Sequence, residues 1–462
     1  MYTRAVPEQT PEQERWAEVY ERFDPLQPAD NPGWRVERKY SPANAIVREL
    51  NRPMGGHKRF MILGGIGSGK STELLAIAAQ RSKQGPVVFI DLVNHFEKRV
   101  GDAAALDRIQ PWEVVLLVGL GIYKAAQAHF GHSWERRETK SLEKAAKAFI
   151  DEEDSPTFDL AKLASTVAVL AGGAIGGVVA GPAGAFAGAS LAAVGETGKS
   201  IQWRFPLGIP GRALRSDQDQ RVQQLLGAVN GLIGTLQSEY ETKLSVFIDG
   251  LDRIKDRART KALFVESSLL GSLECDVVST GPIALHWGSL RKHVRKFTTK
   301  TLANAPVIDR TTPESWEPGG PGIDLCIEVF RRRTADLDPG GALIPEPALR
   351  KLAYYSGGRI REFVRLIREL SGPAWDDSLS SATDAIVDQA IDSLRAETEA
   401  GLTRGHIGIL RALIEEPGEL PDDELVSEML DVCLILPYPN ESEWFFPHPL
   451  LLKVKLADAI AG

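Results

Sequence analysis

The sequence has few cysteines, no strong excess of one charge and no apolar run at its start. Its three cysteines lie far apart and form no CxxC pair, which excludes a disulfide framework and a cysteine-based zinc site and indicates a reducing compartment, the cytoplasm. Residues 1–16 have no apolar core, so we expect no signal peptide there. The net charge of −8 argues against coating of nucleic acid by bulk charge, although it leaves room for a local basic patch.

The rest of the composition is that of a globular protein. Hydrophobic residues make up 43% and charged residues 25% of the 462 positions, a length that suits about three domains. Composition and pattern predict a flexible N-terminal arm with one short helix (1–33), an α/β domain (34–320), a helical domain (321–398) and a smaller C-terminal domain (399–462).

Apolar runs that alternate with helical patterns predict a parallel sheet with helices on both faces. The predicted strands are 59–63, 86–93, 243–249 and 275–279, and the main helices between them are 70–84, 111–130 and 218–239. From about residue 321 helical patterns replace the strands, except for a short apolar β pair at 433–436 and 444–446.

A glycine-rich loop follows the first predicted strand. GGIGSGKS matches GxxxxGK(S/T) between a strand and a helix, the context that this phosphate-binding motif requires. Glycines let backbone N–H groups face phosphate oxygens, and the helix N-terminus adds positive potential. We expect Lys70 to reach the β- and γ-phosphates and Ser71 to ligate Mg²⁺; a glycine-rich turn with a chance lysine is the alternative. The predicted nucleotide-binding residues are Gly64, Gly65, Ile66, Gly67, Ser68, Gly69, Lys70, Ser71 and Thr72.

A second apolar strand ends in acid, in the segment VFIDGLDR. Asp249 is expected to hold Mg²⁺ through its water shell, and Asp252 to orient or deprotonate the attacking water. Gly250 follows Asp249 where fast ATPases have glutamate, which predicts slow hydrolysis or a switch held by nucleotide. A surface ion pair between Asp252 and Arg253 is the alternative.

Two more segments are candidates for sensing the γ-phosphate. Ser279 and Thr280 follow the next strand, where a hydroxyl contacts phosphate or water, or else simply forms a turn. Arg361, with Arg359 as second choice, begins a helix that can fold over the phosphate; a solvated helix charge is the alternative. The predicted catalytic residues are Asp252, Arg361 and Ser279, and the predicted metal ligands are Ser71 and Asp249.

The order of these motifs resembles that of the AAA+/STAND ATPases, and within them the KAP-like and origin-recognition-like branches. The segments that carry the resemblance are YSPANAIVREL, GGIGSGKS, VFIDGLDR, VVST and SGGRIREFVRLI. FIDGLDR is similar to the KAP signature FIDDLDR, with Gly250 in place of the second aspartate. RIREFVRL is similar to NPRELKRF, with Arg361 at the position of its arginine. The tail LDVCLILPYPNESEWFFPHPLL resembles the winged-helix end of bacterial relatives.

This resemblance implies a P-loop ATPase domain, a helical lid over 321–398 and a winged helix over 399–462. It implies an ATP- and Mg²⁺-dependent conformational switch, often a homo-oligomer, with a role in bacterial defence or signalling. An origin-recognition-like DNA-binding ATPase and a nucleotide-binding scaffold without turnover are the alternatives. ATP rather than GTP rests on the resemblance alone.

An insert at 131–215 contains an uncharged Gly/Ala-rich block, 163–195. On helices its GxxxG spacings let partners approach closely. Two full membrane spans need about 40 residues, more than the block offers. A re-entrant or interfacial membrane hairpin, a self-associating glycine zipper and a soluble Gly/Ala hairpin stay open, so the expected location is cytoplasmic with membrane association through 163–195 as an option.

Charge patterns bear on the partners. The basic clusters at 291–300 and 331–333 predict a phosphate- or subunit-facing patch, or else a solvated face. The segment 415–432 is acidic where a recognition helix would be basic, which disfavours duplex DNA and favours a protein partner or a second copy. His448 stands between two prolines and is predicted to be a packed or capping residue rather than a ligand.

Overall fold

The computed structural model describes residues 9–25, 32–149, 159–175, 178–180, 207–209, 215–286, 289–315, 317–417, 420, 424–438 and 444–453. Its strands are β1 Arg59–Leu63, β2 Val87–Asp91, β3 Val169–Ile175, β4 Val178–Ala180, β5 Ser245–Asp249, β6 Asp276–Gly281, β7 Thr298–Thr301, β8 Ile435–Tyr438 and β9 Trp444–Pro447. Its main helices are α1 Pro11–Arg22, α2 Ala43–Leu50, α3 Lys70–Arg81, α4 Pro111–His129, α5 Arg136–Lys147, α6 Leu160–Ser165, α7 Gln220–Tyr240, α8 Arg257–Lys261, α9 Gly322–Thr334, α10 Glu346–Tyr355, α11 Ile360–Asp376, α12 Asp384–Glu399, α13 Arg404–Glu415, α14 Glu424–Asp431 and α15 Pro449–Leu452.

Seven strands form one sheet in the order β4-β3-β2-β5-β6-β1-β7. Strands β2, β5, β6, β1 and β7 are parallel, and β3 and β4 are antiparallel additions at one edge. The parallel core with helices between its strands confirms the predicted α/β fold. Because these five strands run in the same direction, their carboxyl ends lie along one edge of the sheet.

Each face of the sheet packs on its own helices. On one face Met61, Val88 and Ile248 join a buried cluster with α4 and α7. On the other face Phe60 and Phe247 pack with α2 and α3. The alternation of side chains along each strand explains how one apolar run serves both faces, so helices cover the sheet on both sides as predicted.

The uncharged block 163–195 is not helical over 169–175. Strand β3 pairs antiparallel with β2, and β4 pairs with β3. Val169 and Ala171 are buried in this edge. A short apolar run of small residues is compatible with the period of a helix and with that of a strand, so the GxxxG spacing could not distinguish them. The helical interpretation is wrong over this segment. Residues 181–195 lie outside the described residues. In the part of the chain that the structure describes, every helix is too short or too polar to span a bilayer.

The short helix predicted in the N-terminal segment is present, but it is packed on the protein rather than solvated. Residues 11–23 form α1 and its cap, packed on α11, with Trp16, Val19 and Phe23 fully buried. Trp16 Nε1 donates a hydrogen bond to Leu379 O at 2.6 Å. The segment is polar on average, but its apolar residues recur at helical spacing and make one stripe, which composition alone did not reveal.

The C-terminal elements pack on the helices of 321–398 in one hydrophobic cluster. Strands β8 and β9 form the predicted β pair. Tyr438 OH donates to Gly357 O at 3.1 Å, just before α11. His448 is the N-cap of α15, where its Nδ1 accepts from Leu450 N at 3.3 Å. The prediction that His448 is a packed, capping residue is confirmed.

His448 gives this packing a defined pH dependence. Burial, and then the charge of Arg359, lower the pKa of His448 to about 3 from the ordinary value of 6.5. Because the folded pKa lies below the unfolded one, the unfolded chain binds more protons in this window. The stability that the folded protein gains from keeping His448 neutral is therefore complete above pH 6.5 and is lost as the pH falls towards 3. As the pH falls through this range, we expect His448 to lower the free energy of unfolding by up to about 1.4 kcal/mol for each pH unit.

Urea unfolding at about pH 7 and about pH 5 measures this slope. In His448→Asn the asparagine still caps α15, so the free energy of unfolding should change less between the two pH values. His293 is exposed, and His293→Asn is the matched control that should keep the wild-type slope. Equal slopes in wild type and His448→Asn would contradict the prediction.

Candidate nucleotide-binding site

The glycine-rich segment Gly64–Ser71 joins β1 to α3, as predicted. Gly67 and Gly69 have φ of +84° and +95°, a region that favours glycine. A Cβ on Gly64 would lie 2.5 Å from Leu302 O. The backbone itself therefore requires these glycines, and the loop leaves the first N–H groups of α3 available for an anion.

Lys70 turns back into the loop. Its Nζ donates to Gly64 O at 2.7 Å and to Gly65 O at 2.9 Å, and lies 2.9 Å from Asp252 Oδ2. The Lys70 and Asp252 side chains are only 3% and 11% exposed. The structure thus brings the predicted phosphate-binding cation and the predicted water-orienting acid into contact. The alternative of an exposed Asp252–Arg253 surface pair is wrong.

Asp249 ends β5 and reaches the loop across β6. Strand β6 lies between β5 and the loop strand β1 in the sheet. The shared carboxyl edge brings Asp249 close to Ser71, whose hydroxyl favours the ionised form of the carboxylate. Asp249 Oδ1 is buried, and no described residue forms a hydrogen bond with it. A free carboxylate oxygen beside a hydroxyl is a donor set that suits Mg²⁺ in a phosphate site.

Two neighbouring carboxylates have opposite pKa shifts. Burial, and then the charge of Asp252, raise the pKa of Asp249. Burial also opposes ionisation of Asp252, but the adjacent Lys70 outweighs it, and the pKa of Asp252 is lowered. Asp252 is therefore the ionised acid of the pair, and a divalent cation would favour the ionised form of Asp249.

Gly250 shows why no carboxylate follows Asp249 directly. Its φ is +99°, and a Cβ would lie 2.9 Å from Val93 Cγ2 and 3.1 Å from Val93 N. A glutamate at this position would be strained and would clash. The turn Leu251–Arg253 instead brings Asp252 to Lys70.

Of the two candidate hydroxyls, Thr280 rather than Ser279 lies at the carboxylates. Thr280 Oγ1 accepts from Gly250 N at 3.0 Å, and its hydroxyl favours the ionised form of Asp252. Ser279 is the register partner of Ile248, so its side chain lies on the face of the sheet opposite to that of Thr280. Its buried Oγ has no hydrogen-bond partner among the described residues. The placement of Ser279 in the site is wrong. Adjacent residues of a strand point to opposite faces of the sheet, and a strand that is buried on both faces has no alternation to show which residue faces the site.

The start of α11 contacts the loop. Arg361 N donates to Gly67 O at 3.3 Å, and Arg359 Nε and Nη2 donate to Ile66 O at 3.1 and 2.8 Å. A Cβ on Gly67 would lie 2.9 Å from Arg361 Cβ, so the approach needs glycine. Burial lowers the pKa of Arg361, whose charge interacts with Asp252. Both arginines lie at the site, and neither is a solvated helix charge.

Two further residues, Arg38 and Asp91, lie at the site and were not predicted from the sequence. Arg38 Nη1 donates to Ser68 O at 2.5 Å, and no sequence pattern points to it. Asp91 is buried at the end of β2, beside Asp249 in register. Burial, and then Asp249, raise the pKa of Asp91 to about 7. A signal for Asp91 exists, since VVFID and SVFID end two adjacent strands in the same way.

The sheet, the loop and the carboxylates at its edge define an α/β fold of the P-loop type. A scan against protein-family models finds no match, and no curated protein matches. Among solved structures, Drosophila ORC bound to DNA is similar at 10% identity and a TM-score of 0.41, over 100% of this chain and 95% of that chain. The Aeropyrum pernix ORC2 protein in its ADP form is similar at 12% identity and a TM-score of 0.38, over 96% and 95% of the two chains.

A third similar structure covers less of this chain. It is the Thermotoga maritima RuvB Holliday junction branch migration motor, at 15% identity and a TM-score of 0.25, over 47% of this chain and 80% of that chain. At these identities and TM-scores the likenesses carry no conclusion about function. The function is therefore inferred from the site's own geometry.

Proposed function

We propose that the chain is a P-loop ATPase that binds ATP with Mg²⁺ and hydrolyses it slowly. The observation that carries the proposal is the meeting of Lys70 with Asp252 and of Ser71 with Asp249 at one glycine-rich loop. A lysine and a helix N-terminus suit a triphosphate, and a hydroxyl and a carboxylate suit its divalent ion. An ionised carboxylate is the group needed to orient water.

The Lys70–Asp252 ion pair supports a specific order of events. Lys70 binds phosphate oxygens of ATP and gives up its contact with Asp252. This frees the Asp252 carboxylate to orient or deprotonate the attacking water, and Thr280 holds the turn that carries it. Ser71 and Asp249 would hold Mg²⁺, which would supply positive charge to the phosphates. Arg361 is the candidate to sense the γ-phosphate, because its backbone is already bonded to the loop.

The proposed output is a conformational change of the lid (321–398) and of a winged helix (399–462). The order of α13, α14, the β8–β9 pair and α15 supports the second assignment. Arg359 fastens the lid to the loop, and a Cβ on Gly65 would lie 3.8 Å from Cys433 Sγ in the C-terminal elements. A change at the loop would therefore reach both, which suits a cytoplasmic switch that assembles with a second copy or a protein partner, in defence or signalling.

Matched aspartate-to-asparagine variants separate metal binding from hydrolysis. Asp249→Asn should weaken the Mg²⁺-dependent part of ATP affinity by about tenfold or more, since a carboxylate ligand is lost. Asp252→Asn should bind ATP within about twofold of wild type but hydrolyse it about a hundredfold more slowly, the usual effect of losing a general base. ATP titration and phosphate release measure the two quantities.

The exposed Asp324 supplies the control, and Asp324→Asn should behave as wild type. Thermal unfolding of each variant checks that the buried Lys70 tolerates its neutral neighbour. Wild-type hydrolysis by Asp252→Asn would remove that residue from the mechanism. Binding without any phosphate release by the wild type would make the chain a nucleotide-binding scaffold, and no ATP binding would refute the proposal.

A further inference from the structure

A cavity of about 460 Å³ lies between the lid helices and the C-terminal elements. This volume is in the range of small-molecule sites. Its described lining comes from α11, α12, α13 and α14 and from the tail, and is rich in polar side chains. The lining residues that carry chemistry are Glu362, Arg365, Glu397, His406, Glu428 and His448.

One lining residue offers a free hydrogen-bond donor. His406 is 8% exposed, and its buried Nε2 has no hydrogen-bond partner among the residues that the structure describes. Its Nδ1 accepts from Thr403 N at 3.0 Å, as part of the capping box of α13. This bond assigns the proton of the neutral ring to Nε2. The side chain therefore presents an N–H for which the described residues supply no acceptor.

A second lining residue offers a free acceptor. Glu362 is held by Arg359, whose Nη1 lies 3.3 Å from its Oε1. Its Oε2 is buried and has no hydrogen-bond partner in the described part of the chain. A buried carboxylate oxygen of this kind favours a donor group, and a cationic donor above all.

The lining also has one negative charge in excess. Two guanidinium groups, Arg359 and Arg365, face three carboxylates, those of Glu362, Glu397 and Glu428. Arg359 pairs with Glu362. Arg365 pairs with Glu397 at 2.6 Å and also with Glu369, outside the lining, at 2.7 Å. Glu428 on α14 is exposed at the rim and adds the excess charge, which favours a ligand of net positive charge.

We propose that this cavity binds a cationic α-amino acid. Its ammonium group would bond Glu362 Oε2, its carboxylate would accept from His406 Nε2, and its side-chain cation would meet the excess carboxylate charge. The three features of the ligand match the three features of the lining, and the volume admits a molecule of this size. Binding needs no nucleotide, so the proposal stands apart from the ATPase proposal.

The test is calorimetric titration of the full chain, without nucleotide, with L-arginine and with agmatine, which is arginine without its carboxylate. L-arginine should bind saturably with a Kd below about 1 mM, and agmatine at least about tenfold more weakly. Glu362→Gln should weaken L-arginine binding at least about tenfold, because the ammonium loses its charged partner.

His406→Glu is the sharper variant. Threonine followed three residues later by glutamate is itself a capping box, so the start of α13 is kept while the N–H donor is removed. L-arginine should bind at least about tenfold more weakly, but agmatine should not, since it has no carboxylate for His406 to hold. Weakening of both ligands alike would show a structural effect and overturn the role of His406.

Glu415→Gln provides the control on the same helix, at an exposed position, and should bind L-arginine as wild type does. No saturable binding of L-arginine up to about 10 mM would mean that the cavity holds water only and would refute the proposal. Undiminished binding in both Glu362→Gln and His406→Glu would place the ligand elsewhere and refute it equally.

Discussion

Lys70→Ala should lower the affinity for ATP at least about a hundredfold and reduce ATPase activity to background. The Lys70 ammonium is buried at the loop and is the cation placed to form charge-assisted hydrogen bonds with phosphate. A hundredfold loss corresponds to about 2.7 kcal/mol, within the range for removing one partner of a buried charged contact. Titration with a fluorescent ATP analogue and a phosphate-release assay measure both effects.

The same substitution leaves the Asp252 carboxylate without its ion-pair partner. Breaking a buried pair in this way costs about 3 kcal/mol or more, so Lys70→Ala should also unfold at a lower temperature. Lys70→Arg keeps the positive charge and should lose less stability, yet its larger guanidinium should still impair ATP binding. Lys83 is exposed, and Lys83→Ala should match wild type in both assays. ATP binding of wild-type strength by Lys70→Ala would show that the loop is not the site.

Gly358→Ala should be among the most destabilising single changes in the chain. Gly358 has φ of +72°, and a Cβ there would lie 1.8 Å from Ala305 O, a backbone atom that cannot move aside alone. The same two residues are already joined, since Ala305 N donates to Gly358 O at 3.0 Å. We expect a loss of about 4 kcal/mol or more in the free energy of unfolding, measured by urea denaturation.

Gly341 provides a matched control for Gly358→Ala. Gly341 has a similar φ of +65°, but a Cβ there would meet nothing within 4 Å. Gly341→Ala should cost only about 1 kcal/mol, the strain of a left-handed backbone without a clash. The difference between the two variants isolates the contact with Ala305. Equal losses would show that the backbone at residue 305 relaxes and that the close approach is not fixed.

The parts of the fold that local patterns specify were predictable. The phosphate loop comes with its own context, since an apolar strand before it and a helix after it are part of the motif. The acid at the end of β5 was predictable in the same way. Strand order was not, because which strand lies between β1 and β5 depends on pairing between distant segments. The face on which Thr280 lies depended on that pairing too.

Other features were not predictable from the average composition of the segments that contain them. The apolar stripe of α1 lies within a segment that is polar overall, so composition predicted an arm where Trp16 is fully buried. The Gly/Ala-rich block carried no period that distinguishes a helix from strand β3. Asp91 repeats the FID pattern of Asp249, but only the register of two adjacent strands shows that both acids share one edge.

The packing of α1 against residues far along the chain has a consequence for synthesis on the ribosome. Trp16 is covered by a carbonyl group 363 positions further along the chain. At roughly 5–20 residues per second, that carbonyl emerges about 20–70 s after the tryptophan. During this interval the nascent chain displays an amphipathic segment with no surface to cover it, which makes it a ready substrate for chaperones that recognise apolar helices.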